Sequence, residues 1–341
     1  MVGSHHPTIR GSRLYRRRGD KVECSLCERR CLVSPGESGR CGTRMNLEGG
    51  MYTLVYGDLS ALESRPIEMK PLYHYHPGTT ALTFSTWSCN LDCPWCQNHH
   101  LSKRVPLPGR GEHFAPGKVL EEANRRGDRG LCASFQEPTL LADWIADLFS
   151  LGGDLYRCLV TNGYMTPEAL GMLVDSGMDA MSVDVKGDAD TYRDHCGGAE
   201  VEVVWRNIRL AREGGVHLEV VNLIVPGVND REETIQRVID RHLECAGEKA
   251  PLHFSKYHPA YLFREPPTDP EILRGARRMA KEAGVEFVYL GNLPGRDEQA
   301  TFCPSCGARV IDRAGRVRVY LEEGRCPSCG LLIEVRSCRS S

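Results

Sequence analysis

Three cysteines stand close together in the run Cys89-Asn-Leu-Asp-Cys93-Pro-Trp95-Cys96. Three thiolates on one short loop can take three irons of a cubane cluster and leave the fourth iron without a protein ligand. An open metal position is what distinguishes a catalytic site from a structural one. A structural zinc here would need a fourth ligand at knuckle spacing. The nearest histidines, His99 and His100, follow Cys96 by three and four residues. The spacing therefore favours a catalytic [4Fe–4S] cluster on Cys89, Cys93 and Cys96.

Two further cysteine groups flank this loop. Cys303-Pro-Ser-Cys306-Gly and Cys326-Pro-Ser-Cys329-Gly form two knuckles, with a hairpin-like centre between them at Arg309–Asp312 and Arg316–Leu321 around Gly315. A glycine after each second cysteine permits the positive φ that such a knuckle needs. Four thiolates on two knuckles describe a closed tetrahedral zinc ribbon, with a rubredoxin-like iron as the alternative. Cys24, Cys27, Cys31 and Cys41 form the second group, in a loop made pliable by Gly36, Gly39 and Gly42. Their spacing admits zinc or a second [4Fe–4S] cluster and does not separate the two. Of the remaining cysteines, Cys132 and Cys158 fall in apolar runs, where cysteine is a small hydrophobe. Cys196 and Cys245 are scattered, and Cys338 reads as a free thiol on the tail.

The elements that must position these groups follow from hydrophobic patterning. Short apolar runs recur at Ala81–Thr86, Leu131–Ser134, Arg157–Thr161, Ala180–Val185, His217–Val225 and Leu252–Lys256, with a seventh candidate at Glu286–Leu290. Helical stretches alternate with them at Thr139–Leu151, Pro167–Ser176 and Pro270–Ala283. The second opens Thr-Pro-Glu, a cap followed by proline in the first helical position. Strand–helix alternation predicts a parallel sheet with helical crossovers, and six or so units predict a partial (β/α)6 TIM-like barrel. An open doubly wound sheet is the rival. In a barrel, chemistry sits at the C-terminal strand ends. There the chain offers Phe135-Gln136-Glu137-Pro138-Thr139, Thr161-Asn162-Gly163, Asp184-Val185-Lys186, and Val225-Pro226-Gly227. Alternation puts Asp184 and Lys186 on one face. His253 and His258 near the sixth run are candidates for proton transfer or substrate contact; the bland alternative for each is a hydrogen-bonded structural histidine. The division expected is a Cys-rich segment at 1–55, the barrel at 56–297 and the ribbon at 298–341.

The cysteine loop and the ordered strand-end residues resemble the radical S-adenosylmethionine (SAM) superfamily. The resemblance implies SAM chelating the open iron, reductive cleavage to a 5′-deoxyadenosyl radical, and hydrogen abstraction from a substrate. It implies that Glu137 receives the SAM ammonium. It also implies that Asp184 and Lys186 contact ribose and carboxylate, that Trp95 and Asn162 line the cofactor, and that Val225 and Pro226 lie beside the adenine. Longer segments are similar to the radical SAM member of the AmmeMemoRadiSam system, a relative of the pyruvate formate-lyase activating enzyme. They are Cys24-Ser-Leu-Cys27 with Gly39-Arg-Cys41-Gly, Lys70-Pro-Leu-Tyr-His74, Cys96-Gln-Asn98, Asn222–Asp230 and Tyr289-Leu-Gly-Asn292. Ser88 stands where that family commonly has glycine, and Gln136 where it has asparagine. The likeness implies a one-electron donor of flavodoxin or ferredoxin type and neighbours of the Memo and AMMECR classes. The substrate would be a protein glycine or a small molecule.

Composition narrows the alternatives. The 341 residues carry 43 Lys and Arg against 45 Asp and Glu, a net charge of −2. Near-neutrality gives no general affinity for nucleic acid, which weakens an RNA-modifying reading. The basic stretch at residues 10–21 reads as a solvated arm. No run reaches the ~20 apolar residues of a membrane span. His5, His6 and Pro7 stand where a secretion signal needs an apolar core. Sixteen cysteines in so long a chain then point to metal chemistry in a reducing cytoplasm rather than to disulfides. A non-catalytic iron–sulfur or zinc scaffold is the third reading.

Overall fold

The computed structural model describes residues 6–336; Cys338 lies outside them. An eight-stranded sheet forms its centre. β1 (Ala61–Pro66) runs antiparallel to β2 (Thr80–Ser85). β3 (Gly130–Ala133), β4 (Tyr156–Thr161), β5 (Ala180–Asp184), β6 (His217–Ile224), β7 (Leu252–Lys256) and β8 (Val288–Gly291) follow in chain order, each parallel to the one before. Helices α1 (Pro116–Arg126), α2 (Ala142–Ser150), α3 (Pro167–Asp175), α4 (Ala189–His195), α5 (Val201–Glu213), α6 (Glu232–Cys245) and α7 (Pro270–Glu282) make the crossovers. The expected partial barrel is present, with the seventh run as a strand. The added edge strand β1 escapes patterning because its polar sequence, Ala-Leu-Glu-Ser-Arg-Pro, suits a half-covered edge.

Local chemistry explains the elements. The Thr166 hydroxyl accepts the Ala169 N–H at 3.1 Å and starts α3, while Ala169, Leu170 and Leu173 are buried. Thr139–Leu151 is not one helix: Pro138–Leu141 forms a 3-10 turn that leads into α2. Alternation sorts the two faces of β5. Met181 and Val183 join the core shared with the helices, while Ala180 packs with Ala81, Cys132 and Cys158 on the other face. Cys132 and Cys158 are fully buried register partners on neighbouring strands.

The N-terminal segment is not a separate body. Two small antiparallel sheets build it, and Val22, Leu26, Val33 and Met51 enter the same core as the barrel helices. The expected boundary at residue 55 is thus crossed by continuous packing. Within the basic stretch, Tyr15–Arg18 pairs with Lys21–Cys24, and Arg16–Arg18 are exposed. A buried ion pair fastens the segment down. Arg44 Nη1 reaches Asp143 Oδ2 at 2.5 Å, and both side chains are nearly inaccessible. Ser12 Oγ and the Arg13 N–H complete the shell of Asp143. At residue level no helix among the described residues is long and apolar enough to cross a membrane.

The ribbon closes the opposite, N-terminal end of the strands. Its strands Thr301–Phe302, Arg309–Asp312 and Arg318–Val319 pair antiparallel. Val310, Ile311 and Ile333 pack on Tyr73, Phe287 and Tyr289. Beneath them Glu219 accepts from His253 Nε2 at 2.7 Å, from His217 Nε2 at 3.0 Å and from the His74 backbone N–H at 2.7 Å. Burial alone would raise the Glu219 carboxyl, but the two imidazoles outweigh it and hold it well below the usual carboxylate range. Burial pushes the His74 imidazole down to about 3.

Two predictions follow from these buried charges. Asp143→Ala leaves the Arg44 guanidinium buried and unpaired, and should cost about 3–5 kcal/mol in urea unfolding. Replacing both by apolar residues of similar volume should recover most of that loss. For His74 the folded group stays neutral down to about 3, whereas the unfolded one charges near ~6.5. Its stabilisation is therefore complete above ~6.5 and is lost as pH falls toward 3. His74→Gln should flatten that acid-side slope by up to one proton per molecule, measured by unfolding across the same pH range.

Candidate active site

β2 delivers the chain to the cysteine loop through a strained residue. Ser88 has φ +71°, the left-handed region that favours glycine. Its hydroxyl donates to the Cys41 carbonyl at 2.6 Å, and its N–H to the Leu101 carbonyl at 2.9 Å, which together hold the turn. Cys89 and Cys96 are half-buried and Cys93 is buried. Their sulfurs meet donors. The Leu91 N–H lies 3.4 Å and Asn162 Nδ2 3.6 Å from Cys89 Sγ, and the Ser102 hydroxyl lies 3.1 Å from Cys96 Sγ. Cys93 Sγ is 3.7 Å from Cys196 Sγ at the end of α4, a neighbour that sequence spacing could not reveal.

The other strand ends converge on this loop. Asn98 Nδ2 donates to the Phe135 carbonyl at 2.6 Å, linking the loop to the segment after β3. Glu137 is 1 % exposed. Its Oε1 accepts from the Thr139 N–H at 3.0 Å, the Thr139 hydroxyl at 2.5 Å and the Thr161 hydroxyl at 2.7 Å, and its Oε2 from the Asn162 N–H at 2.8 Å. Burial still raises its pKa despite these four bonds. Three of these bonds fall on Oε1 and one on Oε2, so Glu137 ties β3 to β4 while its Oε2 keeps a lone-pair position for a further donor. Next to it, Gln136 Oε1 is buried with no partner.

Asn162 is held by two bonds and serves the loop. Its Oδ1 accepts the Tyr164 N–H, and its Nδ2 donates to Asn90 Oδ1 at 2.8 Å as well as to the Cys89 sulfur. After β5, Lys186 Nζ meets Asp184 Oδ2 at 2.5 Å. Lys186 and Asp184 both lie near enough to act on the Cys93 thiol. Burial would lower the Lys186 ammonium, but Asp184 and Cys93 outweigh it and raise it above the usual lysine range. Asp184 Oδ1 is buried without a partner. After β6, the Val225 side chain lies in the core, Pro226 is half-buried, and Val225 N–H is bound to Asn229 Oδ1 at 2.6 Å. Asn229 Nδ2 also donates to the Lys186 carbonyl at 2.6 Å. Asn229 thus joins the ends of β5 and β6, a role the motif Asn222–Asp230 contained but did not disclose.

The two histidines separate. His258 is exposed in the loop after β7, at the same end as the cysteines. That loop folds over the cysteines: the Leu262 N–H donates to the Pro94 carbonyl at 3.0 Å, and Phe263 meets the buried Trp95 ring edge-on at 5.9 Å. His253 is the second residue of β7 and lies on the floor beside Glu219, Tyr73 and Tyr289. A strand's N-terminal end cannot present a side chain at the mouth, so the structure does not bring His253 to the active site.

The residues suit an iron–sulfur cluster and SAM. Among the described residues the three loop sulfurs do not gather within 4.8 Å as ligands of a single ion would. A cubane binds each cysteine on a different iron and so spaces the sulfurs more widely than one ion does. Two orphaned acceptors, Gln136 Oε1 after β3 and Asp184 Oδ1 at the end of β5, flank the end of β4, and a buried acceptor without a donor is costly unless a ligand supplies one.

Fold, cysteine loop and strand ends together define a class, and comparison agrees: residues 85–239 match the radical SAM superfamily. The chain belongs to that superfamily and is a radical SAM enzyme; the family implies a [4Fe–4S] cluster, SAM and a reductant. Over 335 residues it is 36 % identical to the uncharacterized protein MJ0808 of Methanocaldococcus jannaschii, covering 96 % of this chain and 99 % of the relative. A domain of pyruvate-formate lyase-activating enzyme from Bacteroides vulgatus is similar at 17 % identity and TM-score 0.41, covering 48 % of this chain and 99 % of that one. A radical SAM methyltransferase from Sphaerobacter thermophilus is similar at 13 % identity and TM-score 0.49, covering 71 % of each chain.

Asn162→Ala removes one donor from the Cys89 sulfur. Fewer hydrogen bonds to a cluster's sulfurs lower its potential. The variant should keep its iron but reduce at a more negative potential than wild type in an electron-paramagnetic-resonance-monitored titration.

Proposed function

We propose that this enzyme cleaves SAM reductively and uses the product to take a hydrogen atom from a substrate admitted at the strand ends, with an activase-like architecture. The carrying observation is the convergence on one loop of Cys89, Cys93 and Cys96, the Asp184–Lys186 pair and two unpartnered buried acceptors. Bound at the open iron and given one electron, SAM supplies a 5′-deoxyadenosyl radical.

The chain's own residues do the rest. Gln136 Oε1 and Asp184 Oδ1 accept from the donors of the bound cofactor. Lys186 places a buried positive charge beside Cys93 and so favours an anionic group there. Asn162 and Ser102 hold the sulfurs of Cys89 and Cys96. Trp95 and Phe263 exclude water on the side of the 257–263 loop, which brings His258 to the mouth.

Sequence likeness supports placement in the AmmeMemoRadiSam system, with a protein glycine or a small molecule as substrate and Memo- and AMMECR-class proteins as neighbours. A flavodoxin or ferredoxin in a reducing cytoplasm would serve as donor. The ribbon's four converging thiols support zinc.

Anaerobically reconstituted protein given dithionite and SAM should release 5′-deoxyadenosine. Asp184→Ala should bind SAM at least tenfold more weakly, the loss of about one charge-assisted hydrogen bond, with its iron content unchanged. A reduced wild-type cluster that neither binds nor cleaves SAM would sink this reading in favour of a scaffold.

A further inference from the structure

The two cysteine quartets of this chain are built differently. In the ribbon all four sulfurs lie within 4.8 Å of one another, with Cys303 to Cys329 at 3.5 Å and Cys306 to Cys326 at 3.6 Å. Thiolates around one tetrahedral ion stand about 3.8 Å apart when each metal–sulfur bond is about 2.3 Å. The N-terminal quartet does not gather in this way. Among the described residues, no three of the sulfurs of Cys24, Cys27, Cys31 and Cys41 come within 4.8 Å of one another.

Instead the four residues wall a single pocket. A four-iron cubane takes each thiolate on a different iron, so its four cysteines surround it rather than converge on one point. Shelter differs as well. Cys24, Cys27 and Cys41 are buried, whereas Cys306 and Cys329 of the ribbon are exposed. A redox-inert ion tolerates exposed ligands; a cluster open to water and oxygen does not last. Arg29, Arg40 and Arg44 contribute to the pocket's lining and offset the negative charge that four thiolates bring.

The pocket lies directly behind the catalytic loop. Asn90, the residue after Cys89, forms part of its wall. Arg29 Nε donates to the Asn90 carbonyl at 3.0 Å. Cys41 accepts through its carbonyl from the hydroxyl of Ser88, the residue before Cys89, at 2.6 Å. The geometry points to a second [4Fe–4S] cluster held by Cys24, Cys27, Cys31 and Cys41, one hydrogen bond from the loop of the first. This assignment does not depend on SAM cleavage.

The test counts metals on the full chain after anaerobic reconstitution with iron, sulfide and zinc. Wild type should hold about eight irons and about one zinc. Cys24→Ser/Cys27→Ser should fall to about four irons with zinc unchanged. Should that variant fail to fold, the reciprocal one decides. Cys89→Ala/Cys93→Ala/Cys96→Ala should keep about four irons and, on reduction, give a paramagnetic signal that SAM does not alter. About four irons and two zincs in wild type, or an iron-free reciprocal variant, would overturn the assignment. Four irons retained there alongside a wild type that does not cleave SAM would sink the catalytic reading and leave this one standing.

Discussion

A buried carboxylate with no cation beside it organises the mouth of the barrel. Glu137 has left water entirely, and burying an unpaired anion costs several kcal/mol unless hydrogen bonds replace its hydration. Its replacements come from two places, Thr139 on its own segment and Thr161 with Asn162 on the next strand. The ends of β3 and β4 can therefore not slide apart without exposing an unsatisfied charge. Because Asn162 is fixed by this bond, its amide can be aimed at Asn90 and at the Cys89 sulfur. The order of dependence runs from a desolvated acid, through strand register, to the surroundings of the Cys89 sulfur.

The barrel does not shape the cysteine loop alone. The N-terminal segment grips it from behind, with Arg29 donating to the carbonyls of Asn90, Cys196 and Gly197. Cys196 in turn lies against Cys93. One guanidinium thus positions both the loop and the cysteine that lies against Cys93. That explains why this segment shares the barrel's core and why Arg44 is committed to Asp143 deep inside it.

Much of this was legible in the sequence because it depends on local periodicity. Six apolar runs fall on strands, and Leu252–Lys256 matches its strand residue for residue. The Thr166 cap and the glycines after Cys306 and Cys329, at φ +74° and +76°, follow from rules that act over three or four residues. What was not legible depends on long-range contact. Glu137 stood out at its strand end, but its bond to Thr161 on another strand left no local trace. His253, second in the run Leu252–Lys256, belongs at the N-terminal end of its strand; what the sequence did not show are its partners there, Glu219 and Tyr289. The Cys93–Cys196 approach spans 103 positions and has no signature in spacing. The departure at Ser88 was visible, while its compensation through Cys41 was not.

The ribbon's place on the floor has a consequence for the proposed site. Tyr289 bonds to His74 and Thr301, and Arg313 spans Thr301 and Tyr73, so side chains of the ribbon and the barrel interlock across the N-terminal strand ends. A ligand bound at the proposed site would lie on the strand-end side, beneath the 257–263 loop whose Leu262 N–H donates to the Pro94 carbonyl.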